Sequence, residues 1–431
     1  MIRLICICLI LQLVFISCVF DKKVITFKGI GYNASGFDSI KQMGIDHGNV
    51  LPIDLRVGLK DAGKDPERKV HEFLALIDKV TLFFPETTDK SIIGAVSKVI
   101  KTNDRVYVLD NQKSKALLVF NRSGKFLYTV GNVGKGPGEF VEPTDFEINE
   151  KEGQVYIYDQ FQSVVNKYDL GGRYLGNFKL PFRNTAMVKL GNDFVFQNLL
   201  GNDHIKVIKK SALTITDTMG NVTKVGLPML RYNYVSDRVV RMNDSTAHHM
   251  IPYNDTIYHI TPKGIFARYV FLFPEAQRLP QDFMKQTGPI YERFRELFPS
   301  NRFTYYESGC WETNTHVMAT VYHVKDYCTI LYSKQTGHTL VVPNNLKSED
   351  FSIESLILML NRPIAGNNND FIIPVYMPSF AENLETFLSQ MSVKKREEWL
   401  RAYPALKKWR SDDNPMIVFL SFKPISTNKT H

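Results

Sequence analysis

The 431-residue sequence predicts an all-β fold, a six-bladed β-propeller with two helical insertions, on three observations. A short loop closed by glycine recurs five times at near-constant spacing. The composition favours strands. The two ends of the repeated region supply complementary strands of one further sheet. Apolar residues make up 44% and charged residues 23%, enough for a sizeable core, and 20 Tyr with 29 Phe suit pleated, packed strands.

The repeat is clearest where Arg105-Val-Tyr-Val-Leu-Asp110 aligns with Gln154-Val-Tyr-Ile-Tyr-Asp159. Each run reads as a strand ending in Asp, then a polar turn, a second strand and a tight loop. The loops are Asn121-Arg-Ser-Gly124 and Asp169-Leu-Gly-Gly172, and they recur as Asp217-Thr-Met-Gly220, Thr261-Pro-Lys-Gly264 and Lys334-Gln-Thr-Gly337. Asn or Asp at the first position can accept from the backbone two residues on, and Gly supplies the positive φ a hairpin end needs. Successive glycines lie 48, 48, 44 and 73 residues apart. The long interval holds the first helical insertion, about 275–301, and without it returns to the common period. Units of this length with four short strands describe propeller blades, which bury both faces only by stacking around an axis.

The sixth blade is assembled from the ends. Asn369–Tyr376 and Pro415–Phe422 read as neighbouring strands, separated by the second insertion, about 380–410, where Leu384, Phe387, Leu388 and Met391 form a helical apolar stripe. The missing outer strand is expected at Asp78–Phe84, from ahead of the first full blade. The predicted organisation is therefore a signal segment over 1–17, a tether and accessory segment over 18–70 with a further strand near Leu51–Val57, the propeller over 71–424, and a tail over 425–431.

At the N-terminus Arg3 precedes an apolar run, Leu4–Ile16, too short to span a bilayer and of signal-peptide length. Phe15-Ile16-Ser17-Cys18 closes it and resembles a bacterial lipobox, which makes Cys18 the expected site of lipid attachment. Of the other cysteines, Cys310 and Cys328 fall on the first and third strands of a three-stranded stretch. Two strand spacings, about 9–10 Å, exceed the reach of a disulfide, so both are expected as buried thiols.

With the lipobox at Cys18, the segments Phe120-Asn-Arg-Ser-Gly-Lys-Phe-Leu127, Gly131, Gly134-Lys-Gly-Pro-Gly-Glu-Phe140 and Asp412-Asp-Asn-Pro-Met-Ile-Val418 resemble the six-bladed β-propeller lipoproteins of Bacteroidota, whose blades are similar to NHL repeats. The resemblance covers about residues 50–424. It implies export, a lipid anchor and a propeller, and supplies no activity.

Gly134–Phe140 lacks the Gly-Lys-Ser/Thr ending of a phosphate loop and precedes a strand, so it reads as a crossing between blades. His248 and His249 are adjacent on a strand and point to opposite faces, as do His316 and His323 at their odd spacing; His71-Glu72 lacks the second His of a zinc-protease helix. No metal site and no cofactor are expected from them. Asp110 and Asp159 read as turn caps, and Asp145 and Glu147 as alternate acids on one strand face in contact with water. Tyr305, Tyr306, Trp311 and Tyr322 read as packing between blades. No nucleophile elbow or Cys–His pair occurs.

The formal charge of +9 is spread along the chain, and Lys394-Lys395-Arg396 is followed at once by Glu397-Glu398, so no nucleic-acid partner is expected. The expectation is a lipid-anchored, extracytoplasmic binding or scaffolding module for a protein or glycan, held to membrane lipid through acylated Cys18. The alternative is a polymer-active hydrolase or lyase with its site in the axial channel. Val19-Phe-Asp-Lys-Lys23 carries no acidic cluster, which favours the periplasmic side of an outer membrane over the cell surface.

Overall fold

Six sheets built on four antiparallel strands follow one another along the chain, five with those strands in sequence order and the sixth completed by a strand from ahead of the first. The computed structural model describes residues 40–229, 238–280, 283, 302–344, 362–376, 380, 384–386, 388–406, 409–410 and 412–423. The signal segment, Cys18, the 425–431 tail and most of the first insertion lie outside the described residues.

Blade 1 comprises Lys98–Lys101, Arg105–Asp110, Ala116–Asn121 and Phe126–Val130. Blade 2 comprises Pro143–Asn149, Gln154–Asp159, Val164–Asp169 and Tyr174–Lys179. Blade 3 runs through Asn184–Leu190, Asp193–Asn198, Ser211–Thr216 and Val222–Pro228, and blade 4 through Val240–Asn243, Thr246–Met250, Thr256–Thr261 and Gly264–Leu272. Blade 5 comprises Thr304–Glu312, His316–His323, Asp326–Ser333 and Thr339–Pro343. Blade 6 takes Ala365–Gly366, Phe371–Val375 and Met416–Phe422 from the end of the chain and Ile77–Phe83 from ahead of blade 1. The last pairing is antiparallel, with Ile417 opposite Phe83 and Phe419 opposite Thr81, so the expected closing strand is present. The first strands of neighbouring blades approach one another, which places them around the axis.

The core lies between blades. On Arg105–Asp110, Val106 and Val108 pack towards blade 6 with Phe83, Ile417 and Phe419, whereas Tyr107 and Leu109 pack towards blade 2 with Phe146, Val155 and Ile157. Blade 2 repeats the alternation, its Tyr156 and Tyr158 meeting Phe194 and Phe196 of blade 3. Successive strand residues point to opposite faces, and both faces are covered, so the central strands are apolar almost throughout. Further apolar seams join blade 3 to 4, 4 to 5 and 5 to 6. Each fully buried aliphatic or aromatic side chain contributes about 1.5–3 kcal/mol, so these seams supply most of the cohesion.

Local chemistry fixes the hairpins. The Asn121, Asp169 and Asp217 side chains each accept from backbone N–H groups two and four residues on. Gly124, Gly172, Gly220 and Gly337 have φ of 93°, 87°, 86° and 71°. Gly264 departs from the expectation and is not among the positive-φ residues. There Thr261 pairs directly with Gly264 across a two-residue loop, and the Thr261 hydroxyl caps the turn.

Asp110 and Asp159 are fully buried turn caps. Asp110 accepts from the backbone of Gly94 and Ala95 in the loop entering the blade and from Gln112, Lys113 and Ser114 in its own turn. Asp159 does the same for Val141, Glu142 and Gln162. Gly134–Phe140 is an inter-blade crossing: Asn132–Val133 pairs in parallel with Glu139–Phe140, and the Glu139 carboxylate accepts from Gly136 N–H. Cys310 and Cys328 are buried on the first and third strands of blade 5, and no disulfide joins them.

The segment before blade 1 is built into the wheel. Lys41–Met43 adds in parallel to the outer strand of blade 3, and Ile45–Asp46 and Leu51–Asp54 add to that of blade 4. A helix at Arg56–Lys60 takes over where a strand up to Val57 was expected. The helix Pro66–Ala75, capped by Asp65, buries Val70 and Phe73 in the blade 5–6 seam. The second insertion contains the helix Val393–Ala402, and Phe380, Leu388, Trp399 and Trp409 join the same seam. Of the first, a 3-10 turn at Glu275–Gln277 and buried Phe283 are described. No helix among the described residues is long and apolar enough to cross a membrane.

Asp110→Ala would strand several buried N–H donors, each costing about 1–3 kcal/mol. The expected loss is at least about 3 kcal/mol in urea unfolding, with Asp110→Asn, which keeps one acceptor oxygen, losing less.

Candidate functional site

Charged side chains from three blades pair near the axis. Asp145 and Glu147, on the first strand of blade 2, are 1% and 0% exposed, which corrects the expectation that these alternate acids meet water. Lys98 of blade 1 reaches both, at 2.7 and 2.8 Å. Arg241 of blade 4 reaches Glu147 at 3.0 Å, and the blade 3 amide of Met187 donates to Asp145 at 2.8 Å. Burial works against the Lys98 ammonium, but the two carboxylates outweigh it and hold its pKa above the ordinary lysine value. Two cations and two anions from three inner strands thus satisfy one another. Lys101 of blade 1 also pairs with Asp370 of blade 6. Acids committed in this way tie blades together and are poorly placed to act on an axial substrate.

Among the described residues, a group that converges on open space lies off the axis, between blades 4 and 5. A cleft of about 590 Å³ is lined by His259, Thr261 and Tyr269 on the outer half of blade 4, by Asn314 and Lys334 in the hairpins of blade 5, and by Asp46 of the N-terminal segment, among others. Behind it sits Glu312, at the end of the first strand of blade 5 and 2% exposed. His248 Nδ1 lies 2.9 Å from Glu312 Oε2, His259 Nε2 lies 2.9 Å from Oε2 and 3.1 Å from Oε1, and Lys334 Nζ lies 2.5 Å from Oε1. His248 and His259 are cross-strand partners in blade 4, so their rings share the face turned to blade 5.

Burial opposes ionisation of Glu312, yet hydrogen bonds from His248 and His259 and the charges beside it hold its carboxyl well below the usual carboxylate range. Burial lowers the Lys334 pKa, and Glu312 partly restores it. To donate to the carboxylate, His248 carries a proton on Nδ1 and His259 one on Nε2. His248 is buried, whereas His259 and Lys334 keep 17% and 15% side-chain exposure at the cleft. Burial pushes the Tyr269 hydroxyl up to about 12, with Glu312 adding to the shift. The position of Glu312 is also set from behind: a Cβ on Gly366 of blade 6 would fall 2.4 Å from the Glu312 carbonyl oxygen, so only glycine fits there.

His248 and His249 do face opposite ways. His249 is fully buried on the other face, where burial first and then His248 lower its pKa to about 3. His316 points away from Glu312 towards Phe422 of blade 6, and burial, then Lys334, lower it to about 4. His323 lies at the far end of the same strand, bonded to Thr304. His71 and Glu72 are exposed on their helix. Tyr305, Tyr306 and Tyr322 are buried, Tyr305 and Tyr322 stacked at 5.1 Å, and Trp311 packs on the blade 5–6 seam, so the aromatic group is packing. Sequence reading missed His259, Glu312 and Lys334 as a group. His259 was detectable as the hairpin partner of His248; Glu312 lies 53 residues beyond His259 and only the wheel brings them together.

Residues 57–421 match the profile of a family described as Domain of unknown function (DUF4934). No curated protein matches the chain. Among solved structures, a Bacteroides fragilis protein described as exported shares 17% identity over 87% of this chain and 100% of its own, with a TM-score of 0.66. A DUF4221 family member from Bacteroides vulgatus shares 10% identity over 80% and 97%, with a TM-score of 0.47, and virginiamycin B lyase from Staphylococcus aureus 12% over 69% and 80%, with 0.39. The first supports the fold, and the other two scores carry no argument.

Two acid-range effects are expected. Glu312 has a depressed folded pKa, so its contribution is present above the unfolded carboxyl value of about 4.3 and is lost as pH falls towards the folded one. His249 and His316 are buried neutral, so below about pH 6.5 the unfolded chain binds protons that the folded chain refuses, and stability falls with pH. Denaturant titrations between pH 7 and 4 should show this decline, shallower in His316→Gln. Glu312→Gln should cost about 3–5 kcal/mol at pH 7, because it leaves Lys334 without a counter-charge.

Proposed function

Taking as premise that the chain belongs to the DUF4934 family, whose description names no activity, we propose that it is a lipid-anchored, extracytoplasmic propeller that binds an acidic glycan in the cleft between blades 4 and 5. The cleft carries this reading. Its volume is that of a ligand site, and its charged lining residues are the cations Arg268 and Lys334 against the single carboxylate Asp46. Arg268 lies 5.5 Å from the buried Tyr269 ring, which holds the guanidinium at the cleft wall as a cation for the acid group of a sugar. Asn49, Asn314, Thr246 and Thr261 add hydrogen-bonding groups for hydroxyls.

The anchor rests on the lipobox-like Phe15–Cys18 and the apolar run before it. Several acyl chains on Cys18 would hold the protein at the outer membrane, the periplasmic side being preferred for want of an acidic cluster after Cys18. A second reading, catalysis in the same cleft, is favoured by His259, whose Nε2–H is held by a buried carboxylate so that Nδ1 can act as a base. The axial channel does not support it, since Asp145 and Glu147 are ion-paired.

Labelling cells with a radioactive fatty acid should mark the wild-type chain, and Cys18→Ala should lose the label and leave the membrane fraction; persistent label would refute the anchor. Calorimetry against neutral and acidic saccharides should show binding of the acidic class only, weakened about tenfold or more by Arg268→Ala. Binding of neutral saccharides alone, or of none, would remove the glycan reading. Breakdown of an acidic polysaccharide by the wild type and not by His259→Ala would establish the catalytic one.

A further inference from the structure

We propose that His248, His259 and Glu312 form a zinc-class divalent metal site at the back of the cleft between blades 4 and 5. Two imidazoles from adjacent strands of blade 4 and one carboxylate from blade 5 each turn a ligand atom inwards, and all three atoms lie within 4.8 Å of one another. Two nitrogens and one oxygen select zinc-like ions; calcium and magnesium prefer all-oxygen sets.

Glu312 Oε2 is the oxygen that both imidazoles share, while Oε1 takes Lys334 and a longer 3.1 Å approach from His259. Both imidazoles address Oε2, at 2.9 Å each, whereas Lys334 holds Oε1 at 2.5 Å. An ion bonded to Oε2, His248 Nδ1 and His259 Nε2 at about 2.0–2.2 Å needs nitrogen–oxygen separations a few tenths of an ångström wider than those present. Lys334 then becomes the outer partner that fixes the orientation of a ligating carboxylate. Metal binding replaces the imidazole protons on His248 Nδ1 and His259 Nε2, and each passes to the other ring nitrogen. For His259 that is Nδ1, on a ring that lines the cleft; for His248 it is Nε2, which has no hydrogen-bond partner either way.

Three protein ligands leave a tetrahedral ion one open position. His259 and Lys334 border the cleft while His248 and Glu312 are buried, so that position faces the cleft. Blades 4 and 5 would then be joined by coordination in addition to their apolar seam. The Lys334 ammonium, with Arg268 on the cleft wall, is a neighbouring charge that opposes a cation.

The test uses the purified full-length chain after chelator treatment, titrated with zinc alone and with cobalt(II) alone, so the result is independent of any glycan. One equivalent of zinc should bind and raise the melting temperature, and cobalt should give the visible absorption of a tetrahedral centre. His259→Ala and Glu312→Gln should each weaken binding about 100-fold or more, since outer partners alone account for about 10–100-fold. Lys334→Gln, which keeps an N–H donor for Oε1 and removes the opposing charge, should bind at least as tightly as the wild type. His259→Ala removes a partly exposed ring, so it keeps the test decisive if Glu312→Gln does not fold. Natively folded wild type that takes up neither metal, or metal binding unchanged in His259→Ala, would overturn the assignment.

Discussion

Residues Ile77–Phe83 leave the N-terminal part of the chain and become the outer strand of blade 6, hydrogen-bonded along Met416–Phe422. Every other feature of the wheel depends on that pairing. A blade is apolar on both faces and gains burial only against two neighbours, so blades 1 and 6 must meet. The seam between them includes Phe83 from the early strand, Ile417 and Phe419 from the late one and Val106, Val108 and Phe120 from blade 1. Ring closure leaves no sheet face open and pins both ends of the propeller at one place.

Within the closed ring, charge is used in two ways. Near the axis Lys98, Asp145, Glu147 and Arg241 neutralise one another across blades 1, 2 and 4, where the two carboxylates are buried and each needs its partner. Further out, Glu312 collects His248, His259 and Lys334 at a seam that is partly open. The same pairing physics gives a neutralised hub in one place and a set of addressable polar groups in the other. The second place is also where the segment before the propeller lies, since Asp46, Asn49 and Leu51 wall the cleft.

Much of the fold was readable because blades are local. Alternating apolar strands, Asx-capped hairpins and glycines near a 48-residue period require only neighbouring residues, and Asp110 and Asp159 cap turns as their repeat positions imply. The exception at Gly264 is instructive: a two-residue loop closed by Thr261 performs the same turn without positive φ. The thiol state of Cys310 and Cys328 also followed from strand spacing. The burial of Asp145 and Glu147 did not, because their partners lie 47 and 49 residues back on Lys98 and 94 residues on at Arg241, and nothing local reports an ion pair across an axis.

The sequence by itself determined the repeat, the strand order and the closing strand, since each is written in short-range patterns of apolar alternation and turn chemistry. Tertiary structure alone decided which polar residues meet. His248 finds His259 through one hairpin, but Glu312 and Lys334 reach them only because blade 5 stacks on blade 4 with the rings and the carboxylate on facing sheets. Stacking is driven by non-directional apolar burial, which leaves no residue-by-residue record of the contacts it creates between blades.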